Sequence, residues 1–164
     1  AYLEKGSKAL TFGAKLGWKN EKWETSLNYN RITADGRYLM PREWGRDPFF
    51  TFLPRERNEG LGDVNALVGK VNYKIPKARV TTSLALGYFN LPDVTDFKLN
   101  KYGMPSYNQL NIDARYKFGG LLKGLEAQLL YVYKAKTGNT YGNDKFVINK
   151  ADMSLWNIVF NYQF

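Results

Sequence analysis

The chain contains neither cysteine nor histidine among its 164 residues. Without cysteine it can form no disulfide framework and no cysteine-based zinc site. Without histidine it lacks the base of Ser-His-Asp and Cys-His nucleophiles, the usual metal ligand and the usual proton shuttle near pH 7. We therefore predict no catalytic residue, no metal site and no cofactor, and we do not expect an enzyme.

Long apolar runs are also absent, and the mean hydropathy is −0.47. No run approaches the roughly 18 residues that a membrane-spanning helix needs, which excludes a helical membrane protein. A transmembrane barrel is not excluded, because its alternating strands average to a polar composition. Aromatic residues make up 16% of the chain, which is too many for a disordered polymer.

Apolar and polar residues alternate with a period of two along almost the whole chain, which predicts an all-β fold. We expect seven antiparallel up-and-down strands at about residues 9–19, 23–33, 64–75, 79–91, 107–118, 121–136 and 153–164. The connections at about 34–62, 92–106 and 137–150 are long, and those between them are short. This asymmetry is typical of a transmembrane β-barrel with short periplasmic turns and long extracellular loops. A lipocalin-like soluble barrel can approach the same pattern.

Aromatic side chains mark both ends of the apolar face of these strands, as amphipathic rings do at the two headgroup levels of a bilayer. The alternative is that aromatic residues simply favour strands. The rings at the short-turn end are Trp18, Trp23, Tyr73, Phe118 and Phe164, and those at the opposite end are Tyr29, Tyr88, Tyr133 and Trp156.

The chain ends on Phe164, with Phe160 and Tyr162 at the preceding alternate positions. This ending resembles the C-terminal signature of Gram-negative outer-membrane proteins, which the barrel-assembly machinery recognises as an assembly signal. The resemblance implies a bacterial outer-membrane location among lipid and lipopolysaccharide, and a last strand that runs from outside to periplasm.

The predicted strand number is odd, whereas single-chain bacterial barrels have an even number. Residues 1–8 are too few to add a strand and turn back, since a transmembrane strand takes about 9–11 residues. The first residues also lack the pattern of a signal peptide. We therefore expect residues 1–164 to be one barrel segment, the C-terminal part of a larger barrel.

The long loop between the second and third strands is rich in arginine, proline and aromatic residues, and ordered loops of this length are usually functional. Its runs PREWGRDPFF and FLPRERNEG resemble the corresponding loop of OprD-like porins, substrate-selective uptake channels with a basic constriction. Arginine suits bidentate binding of carboxylates. The interleaved charges also allow internal ion pairs that only hold the loop together. The candidate constriction residues are Arg42, Arg46, Arg55 and Arg57.

The polar face of the predicted strands carries more cations than carboxylates, and basic pore linings favour anions. The candidate pore-lining residues are Lys15, Lys70, Lys74, Arg79, Arg115, Lys117 and Lys134.

The sequence thus predicts an outer-membrane porin that passes small hydrophilic solutes, anionic or carboxylate-bearing, by diffusion. Its expected partners are outer-membrane lipid and lipopolysaccharide, the barrel-assembly machinery, the solutes themselves and other outer-membrane proteins. Nucleic acid is not expected, because the excess positive charge is spread around the barrel and forms no stripe. The alternative is a small outer-membrane barrel with a structural, adhesive or complex-partner role and no transport.

Overall fold

The structure is a computed structural model that describes residues 6–39, 48–56 and 59–164. Seven strands form nearly all of its regular secondary structure, and short 3₁₀ turns occur in the connections. No helix within the described ranges is long and apolar enough to cross a membrane. The strands are β1 (Thr11–Lys19), β2 (Trp23–Ile32), β3 (Val64–Ile75), β4 (Val80–Asn90), β5 (Tyr107–Lys117), β6 (Leu125–Lys136) and β7 (Met153–Tyr162).

The strands form one antiparallel sheet in which spatial order equals sequence order. Every consecutive pair is hydrogen-bonded, from β1 with β2 to β6 with β7. The prediction of an all-β, up-and-down antiparallel fold is therefore confirmed. No ladder joins β1 to β7 in the described part of the chain, so the sheet is open and has two edges.

The turns at one end of the sheet are short because local hydrogen bonds close them. The Asn20 carboxamide accepts from the backbone N–H groups of Lys22 (2.9 Å) and Trp23 (2.7 Å), an Asx-type turn. Residues 120–122 form a 3₁₀ turn, so β6 begins at Leu125 where the alternation predicted about 121. Gly120 has φ +61° there, a left-handed conformation that glycine adopts without steric cost.

The two faces of the sheet differ in what covers them. One face, which we call the apolar face, carries large uncovered side chains such as Leu16, Trp156 and Phe160, which are 78%, 64% and 66% exposed. The opposite face, which we call the loop face, is crossed by residues 50–56 of the long β2–β3 loop.

The buried core lies on the loop face, at the end where the long connections gather. Ile32, Val64 and Val68 point into it from the strands, and Leu53 and Leu61 from the long loop. The Phe89 and Tyr107 rings stack there with centroids 4.7 Å apart. The expectation of a polar face along the full length of the strands is therefore corrected. At this end the face is apolar, because it packs against the loop, and fully burying each such side chain stabilises the fold by about 1.5–3 kcal/mol.

Candidate functional site

The loop that crosses the sheet is bound to strand side chains through its own backbone. The Lys70 ammonium on β3 donates to the carbonyl oxygens of Phe50 (2.7 Å) and Phe52 (2.9 Å). The Gln109 carboxamide on β5 donates to the Pro54 carbonyl (2.7 Å). These bonds fix one end and the middle of the crossing segment against the sheet.

The far end of the segment is bound by Lys134 on β6, whose ammonium donates to the Arg55 carbonyl at 2.5 Å. The same ammonium lies 4.4 Å from the centre of the Tyr107 ring, a cation–π contact. Lys134 is only 4% exposed. A lysine is almost never buried to this extent without partners, and here a carbonyl and a ring supply them.

Between these anchors, the loop makes a tight turn that inserts Leu53 into the core. The Glu56 carboxylate accepts from the Leu53 N–H (2.6 Å), and the Glu56 N–H donates back to the Leu53 carbonyl (3.0 Å). Arg55 adopts φ +71° to complete the turn, a left-handed value that is uncommon outside glycine. Gly87 on β4 lies below Leu53 and leaves room for it, since a Cβ at that position would come within 3.1 Å of Leu53 Cδ1.

An open cavity of about 410 Å³ lies on the short-turn side of the loop, between Leu53 and Pro54 and the strands β3–β6. Its charged residues are largely paired. Arg115 Nε donates to Asp113 at 2.9 Å, and Lys117 lies 4.0 Å from Glu126. The Gln128 carboxamide donates to the second Asp113 oxygen. The cavity wall therefore combines paired cations and carboxylates with apolar side chains such as Leu53, Ala85 and Leu130.

A second open cavity, of about 450 Å³, lies on the long-connection side of the same loop. Arg55, Lys134 and Lys150 line it, with Glu56 as its carboxylate and Tyr102 on one wall. The Lys150 ammonium donates to the Lys145 carbonyl (2.7 Å). Burial lowers the pKa of Lys150, and the nearby Lys145 charge lowers it further. The loop thus has a cavity on each side, and the second is the more cationic.

The structure places the predicted basic residues in three settings. Lys70 and Lys134 bind the loop, and Arg115 and Lys117 line the first cavity in ion pairs. The remaining three are exposed: Lys15 at the middle of β1 on the loop face, and Lys74 and Arg79 near the short turns.

Of the predicted constriction arginines, Arg55 lies at the loop turn and lines the second cavity. Arg42, Arg46 and Arg57 fall outside the described residues. The predicted assembly-signal residues Phe160 and Tyr162 lie on β7, and Phe164 follows its end, all three exposed. Among the described side chains, no cluster of three or more acidic residues could hold a metal ion.

No protein-family model, curated protein or solved structure matches the chain. Function is therefore inferred from its residues and their geometry.

Sequence reasoning missed two buried amides and one lysine of this site. Gln109 and Asn111 point into the loop face, and both donate to the Pro54 carbonyl, Asn111 at 3.4 Å. In the sequence they form a pair of amides at alternate positions on one strand. That pattern by itself indicates only a polar strand face. Lys150 comes from the β6–β7 connection, and nothing in its sequence neighbourhood indicated that this loop folds towards the β2–β3 loop.

Proposed function

We propose that this chain forms part of the wall of an outer-membrane β-barrel porin, through which small hydrophilic anions diffuse. The observation that carries the proposal is the contrast between the two faces of the sheet. One face is apolar and uncovered. The other binds a loop between two open cavities, with an apolar core at its long-connection end and charged and amide side chains towards the short turns. A soluble sheet of this size would cover its large apolar face, because contiguous exposed apolar patches mark interaction or membrane surfaces.

The height of the apolar face supports the proposal that a lipid bilayer covers it. On β6 every outward position from Leu125 to Ala135 is apolar or tyrosine. Ten residues at about 3.3 Å each give roughly 33 Å along the strand, and a tilt of about 40° reduces this to roughly 25 Å. Membrane barrels have an apolar band of about 25 Å.

Aromatic side chains lie towards both ends of that band. Trp23 and Tyr73 pack with ring centroids 4.2 Å apart near the short turns, and Tyr88 and Tyr133 are exposed on the apolar face towards the long connections. Amphipathic rings favour the headgroup level on either side of a membrane. Two such belts support a membrane-spanning orientation, with the short turns at one surface and the long loops at the other.

The loop face supports a water-filled passage narrowed by the β2–β3 loop. The loop lies against the sheet inside this face, and polar groups line the cavities on both of its sides. Arg55, Lys150 and the exposed Lys15 give the passage an excess of positive charge, which favours anions in a low-dielectric channel. The resemblance of the loop to that of OprD-like porins supports the same role. The resemblance of the terminal strand to the C-terminal signature of Gram-negative outer-membrane proteins supports a bacterial outer-membrane location.

The test is electrical. The native protein, purified in detergent and inserted into a planar lipid bilayer, is expected to give discrete conductance steps. In a KCl gradient, its reversal potential is expected to show anion preference, and Arg55→Gln is expected to reduce that preference. Cation preference would contradict the anion assignment. Correctly assembled protein with no conductance would contradict the porin assignment and favour a structural or adhesive barrel.

A further inference from the structure

We infer that Lys70 and Lys134 are positioning residues that hold the 50–55 segment across the passage and thereby set the size of the solutes that pass. The inference rests on the proposed function, because it assigns the two lysines a part in that passage. It differs from the expectation that they act as pore-lining charges that attract anions.

The anchors follow one another across the sheet in the order of the loop residues. Lys70 on β3 binds the carbonyls of Phe50 and Phe52, and Lys134 on β6 binds that of Arg55. Between them, Leu53 packs above Gly87 on β4, and Gln109 on β5 binds Pro54. The segment is thus fixed to four successive strands, and the two lysines hold its two ends.

Of the hydrogen bonds between the sheet and the 50–55 segment, those from the two lysines have a charged donor. A hydrogen bond from a charged donor is roughly twice as strong as a neutral one. Lys134 is also buried, so a methionine in its place would leave the Arg55 carbonyl without this donor beneath the loop. Loss of either lysine is therefore expected to release one end of the segment.

Lys15 provides a matched control. It is exposed on the loop face of β1, two strands from Lys70, and its side chain makes no hydrogen bond to the loop within the described residues. Its replacement by methionine removes one positive charge and leaves the loop anchors in place.

The experiment uses neutral sugars, whose entry reports size without charge. The native protein that contains this chain is reconstituted in liposomes, and swelling rates are measured with a monosaccharide and a tetrasaccharide. Lys70→Met and Lys134→Met are each expected to raise the tetrasaccharide to monosaccharide ratio severalfold. Lys134→Arg, which keeps a charged donor, is expected to restore the ratio. Lys15→Met is expected to leave the ratio unchanged and to reduce anion preference in a KCl gradient.

A second readout does not depend on transport. Trypsin cleavage after Arg55, followed by mass spectrometry on the folded protein in detergent, is expected to be faster in both loop-anchor variants than in Lys15→Met. Heat-modifiable gel migration shows which samples are folded. If no variant conducts sugar but cleavage behaves as expected, the porin proposal fails and the anchoring role stands. Wild-type sugar ratios and wild-type cleavage in folded Lys70→Met and Lys134→Met would overturn the inference.

Discussion

Gly87 shows how a single residue accommodates the loop. A Cβ on this glycine would lie 2.5 Å from Cε2 of Phe89 and 3.1 Å from Cδ1 of Leu53, and both are core side chains. Gly87→Ala is therefore expected to destabilise the fold by about 1–3 kcal/mol through overpacking. The measurement is the urea midpoint of unfolding in detergent, followed by the loss of heat-modifiable migration.

Gly69→Ala is the control, because an added Cβ there meets no atom within 4 Å. Its effect is expected to stay within about 0.5 kcal/mol, as for surface substitutions. Equal midpoint shifts for the two variants would show that strand glycines matter here for a reason other than packing under the loop.

The contacts of individual residues were only partly predictable from the sequence. Alternation alone indicates that Lys70 and Lys134 point to the same face, and the structure agrees. What they bind could not be predicted, because a backbone carbonyl is present at every residue and leaves no mark in the sequence. The turn at Arg55 could not be predicted for a similar reason, since nothing in the residue type indicates its left-handed backbone.

At the scale of elements, the strands were predictable because each has one uncovered apolar face, which keeps the period-two pattern clean. The pattern was less informative at the long-connection end, where Ile32, Val64 and Val68 are buried on the opposite face. There the loop-face positions are apolar and the outward positions beside them include Arg31 and Asn65, so the alternation is reversed, and only the path of the loop explains why. That path depends on contacts far apart in sequence, such as the one between Arg55 and Lys134.

Two of the long connections are joined by a hydrogen bond whose partners titrate. The Tyr141 hydroxyl donates to Asp93 at 2.7 Å, and Thr95 donates to the same carboxylate through its hydroxyl (2.6 Å) and its N–H (2.8 Å). These bonds, that from the Thr95 hydroxyl foremost, hold the pKa of Asp93 below its usual value. The carboxylate in turn raises the pKa of Tyr141.

The signs of these shifts define a pH range for the loop contact. Because the folded pKa of Asp93 is lowered, its contribution is present above its unfolded pKa of about 3.9 and is lost as pH falls through the folded value. Because the folded pKa of Tyr141 is raised, its contribution is present below its unfolded pKa of about 10 and is lost as pH rises through the folded value. The contact is therefore expected to hold between these limits.

Carboxyl-carbon NMR titration of Asp93 in the protein in detergent tests this. Thr95→Val is expected to raise the pKa of Asp93 more than Tyr141→Phe does, because the Thr95 hydroxyl is the larger cause of the shift. A larger rise in Tyr141→Phe would show that the bond between the two connections controls the carboxylate.

At the scale of the whole molecule, the proposed membrane orientation places neighbouring residues of one strand in different surroundings, one in lipid and the next in water. Leu84 and Ser83 are adjacent on β4 and face opposite sides of the sheet, Leu84 being 44% exposed on the apolar face. These 164 residues contain no cysteine, so Leu84→Cys and Ser83→Cys each give a single labelling site within them. In protein reconstituted in lipid, a spin label at position 84 is expected to be accessible mainly to oxygen. A spin label at position 83 is expected to be accessible mainly to a water-soluble nickel complex.

Equal accessibility to the nickel complex at both positions would show that the apolar face is not in lipid. Preference for oxygen at position 83 and for nickel at position 84 would place the sheet in the membrane with its faces reversed. Both results are independent of whether the protein conducts.

The loop is held by strand side chains that bind its backbone carbonyls. Its own side chains at the bound positions are therefore not needed for its attachment to the sheet. The carbonyls of Phe50, Phe52 and Arg55 persist whatever side chains these positions carry. The surface of the segment can therefore be rewritten while its anchorage stays constant, provided that Leu53 and the turn geometry are kept. A library randomised at positions 50 and 52, with position 55 limited to residues that accept a left-handed backbone such as glycine and asparagine, would change the surface of the proposed passage at little cost to folding.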